Sequence, residues 1–278
     1  MVLAGVRAAD AVDSARIALR GAGVGEPDLD ADLLVAHALG TDRAGLRMDP
    51  DRQLGSEGTR WLRDAVRRRA IEREPLAYIL GTKGFRHLDL QVDARVLIPR
   101  PETEHLVEAV LDLPSGSRVH DVCTGSGAVA LALKDERPDL IVTASDVSPD
   151  AVAVAEANAA QLGLDVAFTV ASLLDHAPSG LDAIVANPPY VLERERPDLA
   201  PEITHHEPGL ALFAGDEGLD VIRPLLTAAA ATTARTVALE IGAGQAPSVR
   251  GLMVACGFPD VGLVPDLAGV ERIVVGRR

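Results

Sequence analysis

Aromatic residues are scarce in this 278-residue chain: they make up 3% of it, against 47% hydrophobic residues overall. Any core must therefore be aliphatic, built from Val, Leu, Ile and Ala. Cysteine occurs only at Cys123 and Cys256. Two thiols make no disulfide framework, and a reducing, cytoplasmic setting is the simpler expectation. No apolar stretch approaches the roughly 18 uninterrupted residues of a membrane span. The first residues carry Asp10 and Asp13 and lack the long apolar core of a signal peptide. Positive charge is in deficit too, with a formal net charge of -14. That argues against a sequence-independent grip on nucleic acid, which needs clustered Lys and Arg against phosphates, although a local basic patch stays open. No internal repeat or low-complexity tail is visible. The expectation is a soluble protein of one large domain or two, with no membrane partner and no stable nucleic acid binding.

What is present begins with helices. "DAVDSARIALRGAG" and "LDADLLVAHALG" carry apolar residues at helical spacing and stop at glycines, and "TRWLRDAVRRRAIEREPLAYILG" is a longer amphipathic segment broken at Pro75. Its arginines Arg60, Arg63, Arg67, Arg68, Arg69 and Arg73 suit an acidic partner or, more plainly, a solvated helix face. Trp61 fits a core position. "GFRHLDLQVDARVLIPRPETE" then alternates apolar and polar residues, as a hairpin does. From there short β-rich runs ("SRVHDV", "LIVTASD", "VAFTVAS", "LDAIVANPP", "RTVALEIG") alternate with helical segments. Such alternation means a parallel sheet covered on both faces. The final "DVGLVPDLAGVERIVVGR" holds two runs with no helix between them, which predicts an antiparallel pair. The expected fold is α/β, with an N-terminal helical domain over residues 1–80, a hairpin linker over 81–103 and the sheet domain over 104–278.

"VHDVCTGSGAVALAL" reads as a strand, a glycine turn and a helix start. Gly125 and Gly127 let backbone approach a ligand, and with Ala130 they meet the loose G-x-G-x-x-G/A dinucleotide pattern, a weak signal by itself. Asp146 follows about 20 residues later at the end of the next strand, where a carboxylate accepts ribose hydroxyls. Its alternative task, capping the following helix, is open to Ser148 and Asp150 as well. Asp146 suits a nicotinamide dinucleotide and S-adenosylmethionine equally. Asp121, at the tip of the first strand, tilts the choice: a carboxylate facing the cleft suits the ammonium of an amino-acid moiety better than a pyrophosphate.

The most specific stretch is "ANPPYV" at residues 186–191. Two successive prolines end the strand and leave a stiff loop. The Asn187 side-chain oxygen and the Pro188 carbonyl offer two acceptors for both hydrogens of a planar NH2 group. Held so, a nitrogen with a delocalised lone pair is aimed at an electrophilic methyl and its developing positive charge is stabilised. Tyr190 is placed to stack on a flat amide or base. The blander alternative is a turn whose Asn satisfies its own backbone.

Asn-Pro-Pro-Tyr in this setting resembles the signature of methyltransferases acting on adenine-N6, cytosine-N4 and glutamine-N5. "VLIPRPETEHLVEAVL", "DVCTGSGAVALAL" and "PEITHHEPGLALFAGDEGLDVIRPLL" are similar to segments of one branch, the release factor glutamine methyltransferases (the PrmC or HemK family). The likeness covers most of the chain, most clearly from about Tyr78 onward. It implies a Rossmann-like S-adenosylmethionine-dependent methyltransferase sheet, with the helical domain docking the substrate. That substrate would be the glutamine of the Gly-Gly-Gln loop of bacterial class 1 peptide chain release factors, methylated at N5. By resemblance Asn187, Pro188 and Tyr190 carry catalysis, and these with Pro189, Arg100 and Glu207 bind the substrate. Glu207 also suits an ion pair with Arg100. S-adenosylmethionine would meet Asp121, Cys123, Thr124, Gly125, Ser126, Gly127, Asp146, Ser172, Leu173 and Asn187. Three positions depart from the family pattern: Cys123 stands where Gly is common, Ser172 where an acidic residue is, and "THH" at 204–206 where an Arg-aromatic pair is. His205 and His206 have no further ligands at plausible spacing, so no metal site is expected. The rival activities are methylation of a ribosomal protein glutamine or of adenine in nucleic acid and, in another class, a nicotinamide dehydrogenase or nucleotide-binding module.

Overall fold

A computed structural model describes residues 6–278. They fall into two compact units: residues up to Gly81 together with Ala200–His206, and Thr82–Leu199 together with Glu207–Arg278.

The first unit is helical. A short antiparallel pair, β1 (Val6–Arg7) and β2 (Gln53–Leu54), accompanies α1 (Ala8–Gly21), α2 (Pro27–Ala38), α3 (Arg43–Met48), α4 (Ser56–Ala70) and α5 (Leu76–Leu80). Helix α1 buries Ala8, Ala11, Val12, Ala15 and Leu19, the three-and-four spacing of one helix face. Asp42 caps α3 by accepting from Gly45 N at 2.7 Å. The core is aliphatic, with Trp61 packed at its edge and stacked on His37 at 4.4 Å between ring centroids.

The second unit begins with an antiparallel hairpin, β3 (Thr82–Phe85) and β4 (Leu88–Gln91), followed by α6 (Glu104–Glu108). Then come β5 (Arg118–Val122), α7 (Ala128–Glu136), β6 (Ile141–Asp146), α8 (Pro149–Leu162), β7 (Ala167–Val170) and β8 (Ala183–Ala186). Helix α9 (Pro201–His206) counts with the helical unit. The chain closes with α10 (Ile222–Ala230), β9 (Thr236–Glu240), α11 (Ala246–Ala255), β10 (Asp260–Pro265) and β11 (Glu271–Arg277). The seven-stranded sheet runs in the order β10-β11-β9-β8-β5-β6-β7. Strands β5 to β9 pair in parallel, and β11 is antiparallel to both β9 and β10. On β8, Ala183 and Val185 join one core, and Ile184 and Ala186 the other. The period of two thus serves a sheet covered on both faces.

Three organisational expectations change. The hairpin is part of the sheet unit rather than a linker: Phe85, Leu88 and Leu90 are buried in the same core as α7. Residues 200–206, expected within the sheet domain, pack in the helical unit, where Glu202 Oε1 accepts from Arg69 Nη1 at 2.8 Å and Arg73 Nη2 at 2.6 Å. The arginine run, finally, is largely consumed within its own unit. Arg69 is buried and also bonds Asp30 at 2.7 Å, Arg67 pairs with Asp64 and Glu72, and Arg68 with Glu74. Arginine heads gathered on carboxylates of the same unit have less need of an outside partner than the sequence pattern implied.

Candidate active site

Parallel pairing decides what meets at the carboxyl end of the sheet. From central β5 the chain steps outward to β6 and β7, then returns to place β8 on the other side of β5. The β5–β8 boundary is therefore the switch point, where α/β sheets open a crevice. Val122 registers with Ala186, so the next residues, Cys123 and Asn187, leave the sheet side by side. A cleft of about 200 Å³ lies there; it is lined among others by Cys123, Gly125, Asp146, Ser172, Leu173 and Asn187.

At one end stands the glycine turn. Gly125 (φ +56°) lines the cleft, and a Cβ there would meet no protein atom within 4 Å. Gly127 (φ +83°) has a different reason: a Cβ would come within 3.0 Å of Leu131 Cδ1 and 3.2 Å of Ala155 Cβ, so its hydrogen lets α7 and α8 close up. Cys123 is held at φ +59°, where a Cβ costs about 1–2 kcal/mol and where glycine would be at ease. Burial, followed by the charges of Asp146 and Asp121, pushes its thiol above the ordinary range, so it packs as a neutral group. Thr124 and Ser126 are buried within the turn. Ser126 O accepts from Asn158 Nδ2 at 2.9 Å, and Asn158 also pairs with both backbone groups of Gln91 on β4. Asn158 had no signal in the sequence beyond its place on a helix.

Asp146 ends β6 with both oxygens engaged by backbone: Oδ2 accepts from Gly125 N and Oδ1 from Ser148 N, each at 2.9 Å. Burial raises its carboxyl above the usual range. Each oxygen keeps a further lone pair for a hydroxyl. Ser148 caps α8 instead, accepting from Ala151 N at 3.2 Å.

Asp121 departs from expectation. It lies behind the turn at 1% exposure instead of facing the cleft, and its Oδ2 accepts from Thr124 Oγ1 at 2.6 Å and Ala130 N at 3.3 Å. Burial, opposed by those two bonds, pushes its carboxyl up to about 7. Its place under the turn arises because strand side chains alternate faces, and the 121 position turns toward the start of α7. Beside it His120 is buried between Thr143 Oγ1 (2.8 Å) and Ser145 Oγ (3.0 Å). Desolvation lowers its imidazole to about 4, so it is neutral. Ser145 Oγ in turn donates to the carbonyl of cleft-lining Leu173 at 3.2 Å.

At the other end lies the 187–190 loop. Asn187 Nδ2 donates to Thr103 Oγ1 at 3.1 Å, Thr103 Oγ1 donates to Glu240 Oε2 at 2.6 Å, and the Tyr190 hydroxyl donates to Glu240 Oε1 at 3.2 Å. Among the described residues no donor is bonded to Asn187 Oδ1 or to the Pro188 carbonyl. Pro188 and Pro189 are buried, and Gln245 Nε2 donates to Tyr190 O at 3.0 Å. Burial raises the Glu240 carboxyl and, with the charge of Glu240, the Tyr190 phenol. The Tyr190 ring packs on Gly242, where a Cβ would sit 3.2 Å from its Cδ2. Arg100 and Glu207 do not line the cleft. Arg100 Nη2 donates to Glu207 Oε1 at 2.5 Å and Ile98 N to Oε2 at 3.2 Å, an ion pair that fastens the strap leading to Thr103. Thr103, Glu240 and Gln245 went unnoticed in the sequence; the only local hint was a carboxylate closing an otherwise apolar strand. No three His, Cys, Asp or Glu side chains among the described residues gather as a metal site.

A doubly covered sheet with an antiparallel terminal pair and a glycine turn at its switch point defines the Rossmann-like methyltransferase class. Solved structures agree on the fold. A methyltransferase from Pyrococcus furiosus matches with TM-score 0.55 at 16% identity, over 70% of this chain and 91% of that one. The hMettl16 catalytic domain, solved with an RNA hairpin, gives 0.56 at 13% identity, over 79% and 81%. The family descriptions "PrmC N-terminal domain" and "Methyltransferase small domain" match residues 10–81 and 101–209. Release factor glutamine methyltransferases from Deinococcus radiodurans and Koribacter versatilis are 40% and 41% identical, covering 97% and 96% of this chain and 98% and 97% of their own lengths. The chain belongs to the release factor glutamine methyltransferase family, and it is an S-adenosylmethionine-dependent methyltransferase. Its cleft fits that donor: a hydrogen-only position at Gly125, a carboxylate with free lone pairs at Asp146 and an apolar wall at Leu173.

Proposed function

We propose that the protein methylates the side-chain amide nitrogen, N5, of the glutamine in the Gly-Gly-Gln motif of bacterial class 1 peptide chain release factors. The reading rests chiefly on the two unclaimed acceptors, Asn187 Oδ1 and the Pro188 carbonyl, beside the donor cleft. A primary amide carries two N–H groups on one planar nitrogen, and two fixed acceptors match them. When bound, the donor supplies a methyl activated by its sulfonium. The chain's own residues do the rest. Asn187 and Pro188 hold the nitrogen so that its lone pair faces the methyl, and they stabilise the positive charge that grows as the N–C bond forms. One N–H proton leaves to solvent as the neutral methylamide is restored. The two prolines keep the loop ordered before substrate arrives, so binding has little left to order.

The helical unit is the natural docking element for the release factor, and a cytoplasmic setting goes with that partner. An adenine amino group shares the planar NH2, and a ribosomal protein glutamine shares the amide, so the deciding experiment offers all of them. Methyl-labelled donor is incubated with the protein and, in separate reactions, a release factor, its Gly-Gly-Gln to Gly-Gly-Ala variant, ribosomal proteins and duplex DNA. Label on the release factor, lost with the glutamine, is expected. Label on DNA or ribosomal protein alone would overturn the proposal.

A further inference from the structure

The geometry points to Thr103 and Glu240 as the residues that decide which way the Asn187 amide faces; the inference rests on the acceptor role proposed for Asn187. An asparagine side chain is nearly symmetric in shape, and turning it over exchanges its oxygen for its NH2. With the NH2 toward the cleft, the loop would offer a donor where the substrate nitrogen needs an acceptor. Something must set the orientation, and the loop's own backbone does not, for Asn187 makes its side-chain bond to a residue 84 positions away.

The direction of the bonds starts at Glu240. It closes strand β9 at 1% exposure and carries two oxygens, each of which meets one hydroxyl: Oε2 meets Thr103 at 2.6 Å and Oε1 meets Tyr190 at 3.2 Å. Burial raises this carboxyl and the two hydroxyl donors oppose that rise; in the ionised form they favour, it only accepts. The single hydroxyl hydrogen of Thr103 is therefore committed to Glu240, at a length typical of an O–H···O⁻ bond. What Thr103 has left for Asn187 is a lone pair, and it accepts from Nδ2 at 3.1 Å. Oδ1 then turns the other way, unclaimed. Thr103 is itself 3% exposed, at the end of a 3-10 turn that begins at Pro101, directly after Arg100. The Arg100–Glu207 ion pair holds that turn's entrance, which gives the pair a task although it does not reach the cleft. Thr103 and Glu240 touch no reacting atom; they are positioning residues, and Asn187 is the group they position.

The test is a thermodynamic cycle in the full-length protein, with release factor as substrate and donor affinity measured separately by calorimetry. Thr103→Val keeps the shape and removes both hydrogen-bonding functions; Thr103→Ser keeps them. Thr103→Val is expected to lower kcat about tenfold or more while the donor Kd stays within about twofold, and Thr103→Ser to recover most of that loss. In an Asn187→Ala background Thr103→Val should cost less than about twofold, because nothing remains to be oriented. Equal losses in both backgrounds, an unchanged kcat, or a Thr103→Ser as slow as Thr103→Val would overturn the inference. A wild type that labels no release factor would instead overturn the proposed substrate. Should Thr103→Val not fold, nuclear Overhauser contacts in the wild type decide: the Asn187 side-chain NH2 protons, assigned by their loss in Asn187→Ala, must lie against Thr103, and their absence there rejects the assignment.

Discussion

At the donor end of the cleft, backbone N–H groups of Gly125 and Ser148 fasten Asp146, and glycine conformations shape the turn. At the acceptor end, the bonds that hold Asn187 and the Tyr190 ring run between side chains drawn from residues 103, 187, 190 and 240. A frame made of backbone tolerates changes of side chain. A frame made of side chains has no such tolerance. Each member there commits the next one's hydrogens, so one replacement alters the groups beyond it.

The sharpest way to separate the two ends is Asn187→Ala. Turnover should fall on the order of 100-fold or more, as when a positioned transition-state contact is removed, while calorimetry finds donor affinity within about twofold. A parallel loss of donor affinity would mean that the ends are not independent. Behind the donor end, His120 provides a pH test. Its folded value of about 4 lies below the unfolded 6.5, so between them the unfolded chain binds more protons and the wild type loses stability as pH falls. His120→Gln removes that titration. Relative to the variant, the wild type should lose up to about 3 kcal/mol between pH 7 and pH 4, read by denaturant unfolding at both values. A difference independent of pH would show that the imidazole is not held neutral.

Asp146→Ala removes the carboxylate that lines the donor end of the cleft. A charged group accepting hydrogen bonds contributes about 1.5–3 kcal/mol, so donor affinity should weaken roughly tenfold to a hundredfold, with kcat at saturating donor little changed. If kcat fell and affinity held, Asp146 would belong to the reacting end. The smallest effect is expected from Cys123→Gly. Relief of the left-handed backbone, set against glycine's greater freedom when unfolded, should raise stability by about 0.5–1 kcal/mol without altering turnover. A melting temperature that drops would mean that packing of the thiol outweighs the strain.

Much of this architecture was legible because its signals are local. Strand-helix alternation, the glycines at 125 and 127 and the two prolines after Asn187 each act within a few residues of where they stand. The errors fell where the partners are set by the folded arrangement and not by a local pattern. Asp121 was read as facing the cleft because its position at a strand tip is visible and its partners Thr124 and Ala130 are not. Of the arginines on α4, Arg60, Arg63 and Arg67 are exposed as read, but Arg69 is buried on Asp30, 39 residues away, and Glu202, 133 residues away. Helix α9 looked like part of the sheet domain that surrounds it in sequence.

By itself, then, the amino-acid order determined the elements, the donor turn and a rigid loop offering an amide and a carbonyl, since conformational restriction by Gly and Pro and hydrophobic periodicity are properties of short stretches. Only the tertiary structure decided that the turn and the loop stand side by side, through the parallel register of β5 and β8, and that Thr103 and Glu240 stand behind Asn187. Those placements depend on burial. A carboxylate taken out of water must find donors wherever the packed chain brings them, and no window of sequence shows which they will be.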